Sequence, residues 1–409
     1  MHILYFHQHF TTPAGAGGTR SYEMARRAIA QGHSVTMVCG SYGGGSTGLD
    51  QPFERGRRRG TVGGIDVIEF DLGYSNAHGI AKRTMVFLKF AFASTGIALT
   101  SSYDVVFATT TPLTAGIPGI FARWLRRKPF VFEVRDLWPE LPREMGVITN
   151  PVVLGAMSAL EWMSYRSANR CIALSPGIKA GIARRGVAED RIEMVPNGCD
   201  LELFEAGKAE AWRPEDLAES DLMAVFTGTH GQANGLDAVL DAAAVLKARE
   251  RGGIKLVLVG NGKLKPELMA RKEAEGLDNV VFHDQIPKHK ITGLLAGANI
   301  GMQCLANLPA FYYGTSPNKF FDYIAAGLPV LNNYPGWLAQ IITDNDCGFA
   351  VPPDDAEAFA DALETAAADR KALVRKGQAA LALARDDFDR NKLGARWVDW
   401  VVGASGERT

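Results

Sequence analysis

Residues 315–331 read Thr-Ser-Pro-Asn-Lys-Phe-Phe-Asp-Tyr-Ile-Ala-Ala-Gly-Leu-Pro-Val-Leu. A polar turn containing Pro317 opens a helix, Gly327 closes it, and a short apolar strand follows. Asp322 sits inside the second helical turn. The free amides of such a helix start suit a phosphate oxygen, and a carboxylate further along can hold sugar hydroxyls. Taken alone, the stretch reads equally well as an ordinary capped helix packed on a sheet.

The same alternation of helix and apolar run extends outward in both directions. Runs at 3–6, 34–39, 65–70, 104–108, 130–134, 171–174 and 192–195 form one series, and runs at 222–227, 255–259, 280–282, 300–304 and 329–332 form a second. Helical patterns separate them, which argues for parallel sheets covered on both faces. The fold class is therefore α/β, with two doubly wound units. A chain of 409 residues is long for a single core and fits two domains. Val195-Pro196-Asn197-Gly198 ends the first series in turn formers, so the expected domains are 1–198 and 199–387. Residues 202–221 read as a linker, and 43–59 as a mobile loop without periodicity.

Basic and acidic residues nearly balance, 44 against 45, which gives no support for a nucleic-acid partner. Five widely spaced cysteines without a Cys-x-x-Cys pair fit a reducing compartment and suggest neither zinc nor redox chemistry. Met1 runs directly into the strand-like His2-Ile3-Leu4-Tyr5-Phe6, leaving no room for a signal peptide, so a cytoplasmic protein is expected. Residues 80–99 combine Lys82, Arg83 and Lys89 with Met85, Phe87, Leu88, Phe90 and Phe92. Lys89 interrupts the middle, which argues against a spanning helix. Two readings stay open, a helix lying on an anionic membrane surface and a domain helix whose Phe face is core.

Several loops follow strand ends, where open α/β sheets bind ligands. His7-Gln8-His9-Phe10-Thr11-Thr12-Pro13-Ala14-Gly15-Ala16-Gly17-Gly18-Thr19-Arg20 is a glycine-rich strand-to-helix turn. Its backbone at Gly17 and Gly18 can approach a phosphate, and Arg20 adds a cation. It has neither the dinucleotide fingerprint nor the P-loop spacing. Arg135 and Asp136 follow the strand ending at Val134, and Asp136 reads alternatively as a helix cap. Glu133 is a further carboxylate, but alternation along a strand gives it no reason to converge with Asp136. Thr229, His230 and Asn234 follow the first strand of the second series. Gly262 and Lys263 follow the next.

These segments together resemble the retaining glycosyltransferases of family 4, whose two Rossmann-like domains face each other across a cleft (the GT-B fold). The resemblance covers most of the chain. Asp-Leu-Trp-Pro-Glu after Arg135 resembles a subgroup that adds amino or deoxy sugars to bacterial lipid-linked glycans in O-antigen and capsule assembly. It implies a UDP-sugar donor, a lipid-linked or soluble sugar acceptor, and no cofactor or metal. The donor's own phosphate would help deprotonate the acceptor, so no protein nucleophile is needed. Diphosphate contacts would come from Gly17, Gly18, Arg20, Thr229, His230, Asn234, Gly262, Lys263 and the Ser316-Pro317-Asn318-Lys319 helix start. The main chain near Ile286 would read the base, and Asp322 would hold the ribose. The final segment, 388–409, would return to the first domain through Trp397, Val398, Trp400 and Val401, although packing on its own domain is also open.

The chain departs from the family pattern at three points. Gly314 stands where the first of two glutamates is usual, Arg135 where a histidine contacts the sugar, and Thr229 and Asn234 where Arg and Lys neutralise the diphosphate. Asp136 then becomes the polar contact for the reacting groups, with Arg135 beside it. A UDP-N-acetylhexosamine epimerase of similar fold and a non-catalytic sugar-nucleotide sensor remain alternatives.

Overall fold

A computed structural model describes residues 1–15, 17–75 and 78–406, apart from the side chain of His289. The chain divides into two compact units. One comprises Met1–Pro196, Gly314–Ser316 and the residues from Asn391 on; the other comprises Asn197–Tyr313 and Pro317–Arg390. Each unit is built on its own sheet.

The first sheet contains β1 (His2–Phe6), β2 (Ser34–Tyr42), β3 (Arg57–Val62), β4 (Ile65–Tyr74), β5 (Val105–Thr109), β6 (Phe130–Val134), β7 (Arg170–Ala173) and β8 (Ile192–Met194). Their order is β3-β4-β2-β1-β5-β6-β7-β8. All neighbours are parallel except β3, which lies antiparallel on β4. Strand order reverses between β1 and β5, the switch point at which the loops after parallel strands diverge and leave a crevice. The central strands β5 and β6 are buried on both faces, which explains runs that are apolar except for Thr109 and Glu133.

The second sheet contains β9 (Leu222–Thr227), β10 (Ile254–Val259), β11 (Val280–His283), β12 (Ile300–Gln303), β13 (Val330–Asn332) and β14 (Gly348–Ala350), in the order β11-β10-β9-β12-β13-β14. Every pair is parallel, and the switch point lies between β9 and β12. Its core joins Leu222, Phe226, Leu256 and Leu258 of the sheet to Val239, Leu246, Phe359 and Leu363 of the covering helices.

Two segments differ from the sequence expectation. Residues 57–59, the end of the expected mobile loop, belong to β3. Arg58 and Arg59 pair across the strands with Glu69 and Asp66, and Arg58 also lies over the Phe53 ring, so charge and stacking hold an edge strand that has no apolar alternation. In the expected linker, Leu201–Gly207 is a helix anchored by the buried Phe204. The last helix, Arg390–Gly403, carries Trp397, which stacks on Tyr5 at 5.8 Å and meets Phe107 edge-on at 4.7 Å. Trp400 donates its indole N–H to the Cys171 carbonyl at 3.0 Å and lies under the Arg170 guanidinium. No described helix is long and apolar enough to cross a membrane.

Candidate functional site

In the second unit the helix Asn318–Ala325 buries Phe320, Phe321, Tyr323 and Ile324. Tyr323 fixes its seat: the hydroxyl accepts from the Thr227 amide at 3.0 Å and donates to the Met302 carbonyl at 3.3 Å, joining the helix to the ends of β9 and β12. Gly301 makes room for that ring, since a β-carbon there would stand 2.4 Å from it. The helix start is therefore held at the switch point of the sheet.

Lys319, in the first turn of that helix, donates to the Asn234 side-chain oxygen at 2.5 Å and lies 4.4 Å from the Phe226 ring centroid. Asn234 in turn donates to the Thr229 carbonyl at 2.7 Å. Three residues singled out from sequence thus form one cluster. Burial pushes the Lys319 ammonium down to about 8, and no described carboxylate neutralises it. A half-buried cation beside a helix start and a loop at a strand end has the chemistry to accept an anion.

Asp322 lies one turn further on, almost buried, with Lys288 donating to it at 2.7 Å. Lys288 opens the helix after β11 and stands two residues beyond the half-buried Ile286, so Asp322 is tied to the loop expected to read a base. Its charge is partnered by a lysine that no motif had marked.

The two neighbouring glycine turns have a packing role. A β-carbon on Gly262 would stand 2.3 Å from the His230 carbonyl oxygen, and the His230 amide donates to the Asn261 carbonyl at 3.0 Å. His230 is fully buried between Phe226 and Phe282, and neither ring nitrogen has a partner. Burial, then Lys265 and Lys319, lower its pKa to about 4, so it is a neutral ring and not an exposed loop histidine. Lys263 is exposed. The unpredicted Lys265 instead donates to Gly260, Asn261, His283 and Asp284, clasping the ends of β10 and β11. Pro317, Asn318 and Lys319 belong to this unit, whereas Ser316 is grouped with the first.

In the first unit the expectation for Arg20 is overturned. It is 3 % exposed and donates to Glu133 at 2.8 and 3.1 Å and to the carbonyls of Val195 and Pro196. Its charge is committed to a buried carboxylate and two chain carbonyls, which removes it from the expected phosphate contacts. Burial alone would raise the Glu133 pKa, but Arg20 and Arg135 hold it below the ordinary carboxylate value. Arg135 is likewise pinned, donating to Thr109 at 2.9 Å, Glu133 at 3.2 Å and Ser21 at 2.7 Å, and so positions the strand ends.

Asp136 stands apart from this network and accepts from the Thr111 hydroxyl at 3.1 Å. Burial raises its pKa, partly offset by Thr111 and Arg135. The loop after β1 adds His7, Gln8 and His9. Buried polar atoms without partners occur on all three, including both side-chain polar atoms of Gln8. His9 is lowered to about 4 by burial, and its hydrogen bond to the Thr111 backbone brings it beside Asp136's partner. Sequence reading passed over Gln8 and His9, although two histidines flanking a glutamine at a strand end are an unusual polar load. Gly17 and Gly18 are exposed on the same loop.

Residues 15–198 match the glycosyl transferase 4-like domain model, and residues 222–369 match the glycosyl transferases group 1 model. Over 205 residues the chain is 30 % identical to a D-inositol 3-phosphate glycosyltransferase of Nocardia farcinica, covering 48 % of this chain and 44 % of that protein. The chain thus spans less than half the length of this curated relative. Among solved structures its fold is similar to sucrose-phosphate synthase from Thermosynechococcus elongatus (TM-score 0.74, 19 % identity, 97 % of each chain). It is also similar to Anabaena HepE in complex with UDP-glucose (TM-score 0.71, 17 % identity, 98 % of this chain and 100 % of that one). The chain therefore belongs to the glycosyltransferases, with a glycosyl transferase 4-like domain in its first half and a group 1 domain in its second.

Proposed function

We propose that the protein transfers a sugar from a UDP-sugar, an N-acetylated or deoxy-amino hexose, to a polyprenyl-diphosphate-linked sugar in bacterial surface polysaccharide synthesis, with retention at the anomeric carbon. The observation that carries the donor reading is Lys319, a desolvated cation without a carboxylate partner among the described residues, with Asp322 one turn along the same helix and tied to the Ile286 loop. Diphosphate at Lys319, ribose at Asp322 and base at Ile286 would follow the order of a nucleotide-sugar. The UDP-glucose complex of HepE supports the choice of nucleotide.

In this reading the acceptor hydroxyl oxygen bonds the anomeric carbon, the bond to the phosphate oxygen breaks, and the hydroxyl proton passes to the departing phosphate. Lys319 stabilises the charge developing there, and the reaction needs no metal or cofactor. Asp136, His9 and Gln8 orient the acceptor. The phosphorylated acceptor in the relative's name, D-inositol 3-phosphate, supports an acceptor that carries phosphate. A lipid-linked one places the protein at the inner face of the membrane, touching it through residues 80–99.

The test is incubation of UDP-hexoses with a panel of lipid-linked and soluble acceptors in chelator, with the product anomer read by NMR. Retained configuration and undiminished rate in chelator are expected. In calorimetry Asp322→Ala should weaken UDP binding roughly ten- to a hundredfold, the range for a hydrogen bond to a charged group. Epimerisation of the donor without any acceptor, or UDP affinity unchanged in Asp322→Ala, would defeat the proposal.

A further inference from the structure

Lys288 is the first residue of the helix Lys288–Gly297, and Lys290 stands in the same first turn. A cation there meets the positive end of the helix dipole, so the local structure supplies no reason for a lysine. Lys290 is exposed to solvent, whereas Lys288 is half-buried. The Lys288 ammonium donates to Asp322 Oδ1 at 2.7 Å and lies over the Phe204 ring, 5.6 Å from its centroid. Phe204 is itself buried. A carboxylate on one side and a ring face on the other therefore hold the ammonium in one place.

The bond to Asp322 leaves both groups with capacity to spare. Asp322 Oδ2 has no hydrogen-bond partner among the described residues, and an ammonium has further N–H donors beyond the one given to Oδ1. The two side chains keep 22 % and 11 % exposure, so neither is sealed from a ligand. A spare acceptor and a spare donor side by side match two neighbouring hydroxyls, since one hydroxyl can donate its hydrogen while the next accepts on its oxygen. A carboxylate alone can only accept.

We propose that Lys288 determines the sugar specificity of the nucleotide site: Asp322 accepts from one ribose hydroxyl while Lys288 donates to the oxygen of its neighbour, so that ribonucleotides are selected over their deoxy counterparts. The proposal rests on the placing of the ribose at Asp322. A deoxy analogue leaves one member of the ion pair facing a carbon–hydrogen bond. A site built to hydrogen-bond a hydroxyl rejects the analogue that lacks it, because the polar group is then left unmet.

Titration calorimetry of the full chain with UDP, 2′-deoxy-UDP and 3′-deoxy-UDP tests it. The wild type should bind UDP roughly ten- to a hundredfold more tightly than either analogue, the range for a hydrogen bond to a charged group. Lys288→Met should lose the preference over one analogue and keep the preference over the other, which Asp322 still reads. Lys288→Arg should keep both. Where Lys288→Met does not fold, Lys288→Gln makes the same comparison: it retains a neutral donor and should reduce that one preference without abolishing it. If the neutral variants keep both preferences, or lose both together, Lys288 reads no hydroxyl of its own and the proposal falls while the ribose stays at Asp322. A wild type that binds UDP and both analogues equally takes the ribose away from Asp322 and this proposal with it. A wild type that binds no UDP overturns the donor reading itself.

Discussion

Lys319 makes a prediction that an ordinary lysine would not. Because burial lowers its pKa to about 8, its charge is lost as pH rises through 8 and not near 10.4, the usual lysine value. UDP affinity should therefore decline between about pH 7.5 and 9, and calorimetry on Lys319→Met should show a weaker and pH-independent affinity over that range. Asp136 behaves oppositely. Its pKa is raised by burial, so its carboxylate appears only above the ordinary aspartate range, and the acid limb of the rate profile should lie above that range too. Asp136→Asn should remove that limb and lower turnover roughly a hundredfold while leaving UDP affinity within a few-fold, as steady-state kinetics would read. Collapse of UDP binding with turnover preserved would assign Asp136 to the donor.

Between strands and helices, the Arg20–Glu133 pair links the helix Arg20–Ala30 to β6 and to the end of the chain segment at Val195 and Pro196. Removing one partner leaves the other charge buried, so Arg20→Ala should destabilise the first unit by about 3 to 5 kcal/mol in denaturant titration, with Glu133→Gln at least as costly because it takes the carboxylate from both Arg20 and Arg135. This pair also shows where sequence reading reaches its limit. Strands β1, β5, β6, β9 and β10 were legible because central parallel strands are apolar on both faces. So was the helix after Pro317, from its punctuation by proline and glycine. Strand β3 was not, because its stability comes from charges on a neighbour rather than from alternation. Partnership was equally invisible: Arg20 looked like a phosphate ligand until its carboxylate, 113 positions away, came into contact. Lys288 and Lys265 gave no signal for the same reason, since a lysine at the start of a helix reveals nothing of what it will meet. Lys319, Asn234 and Thr229 could be picked out individually by position at strand and helix ends, but their hydrogen-bonded chain could not.

At the scale of the molecule, the first unit is completed by the final helix, whose Trp397 fills a space between Tyr5 and Phe107. Trp397→Ala should cost about 3 to 5 kcal/mol, measured as an earlier unfolding midpoint, as for other buried aromatics reduced to alanine. A midpoint unchanged from wild type would mean that the helix contributes nothing to the unit's stability. The same feature fixes a timetable. Roughly 190 residues are made between Pro196 and Asn391, which at bacterial and eukaryotic elongation rates takes about 10 to 40 s. During that interval the nascent first unit presents an aromatic slot with no tenant, so a chain stalled or cut before Trp397 carries an exposed apolar mark that chaperones and proteases can recognise. The C-terminal helix thus acts as a seal on synthesis, closing the amino-terminal half only after the other half has been made.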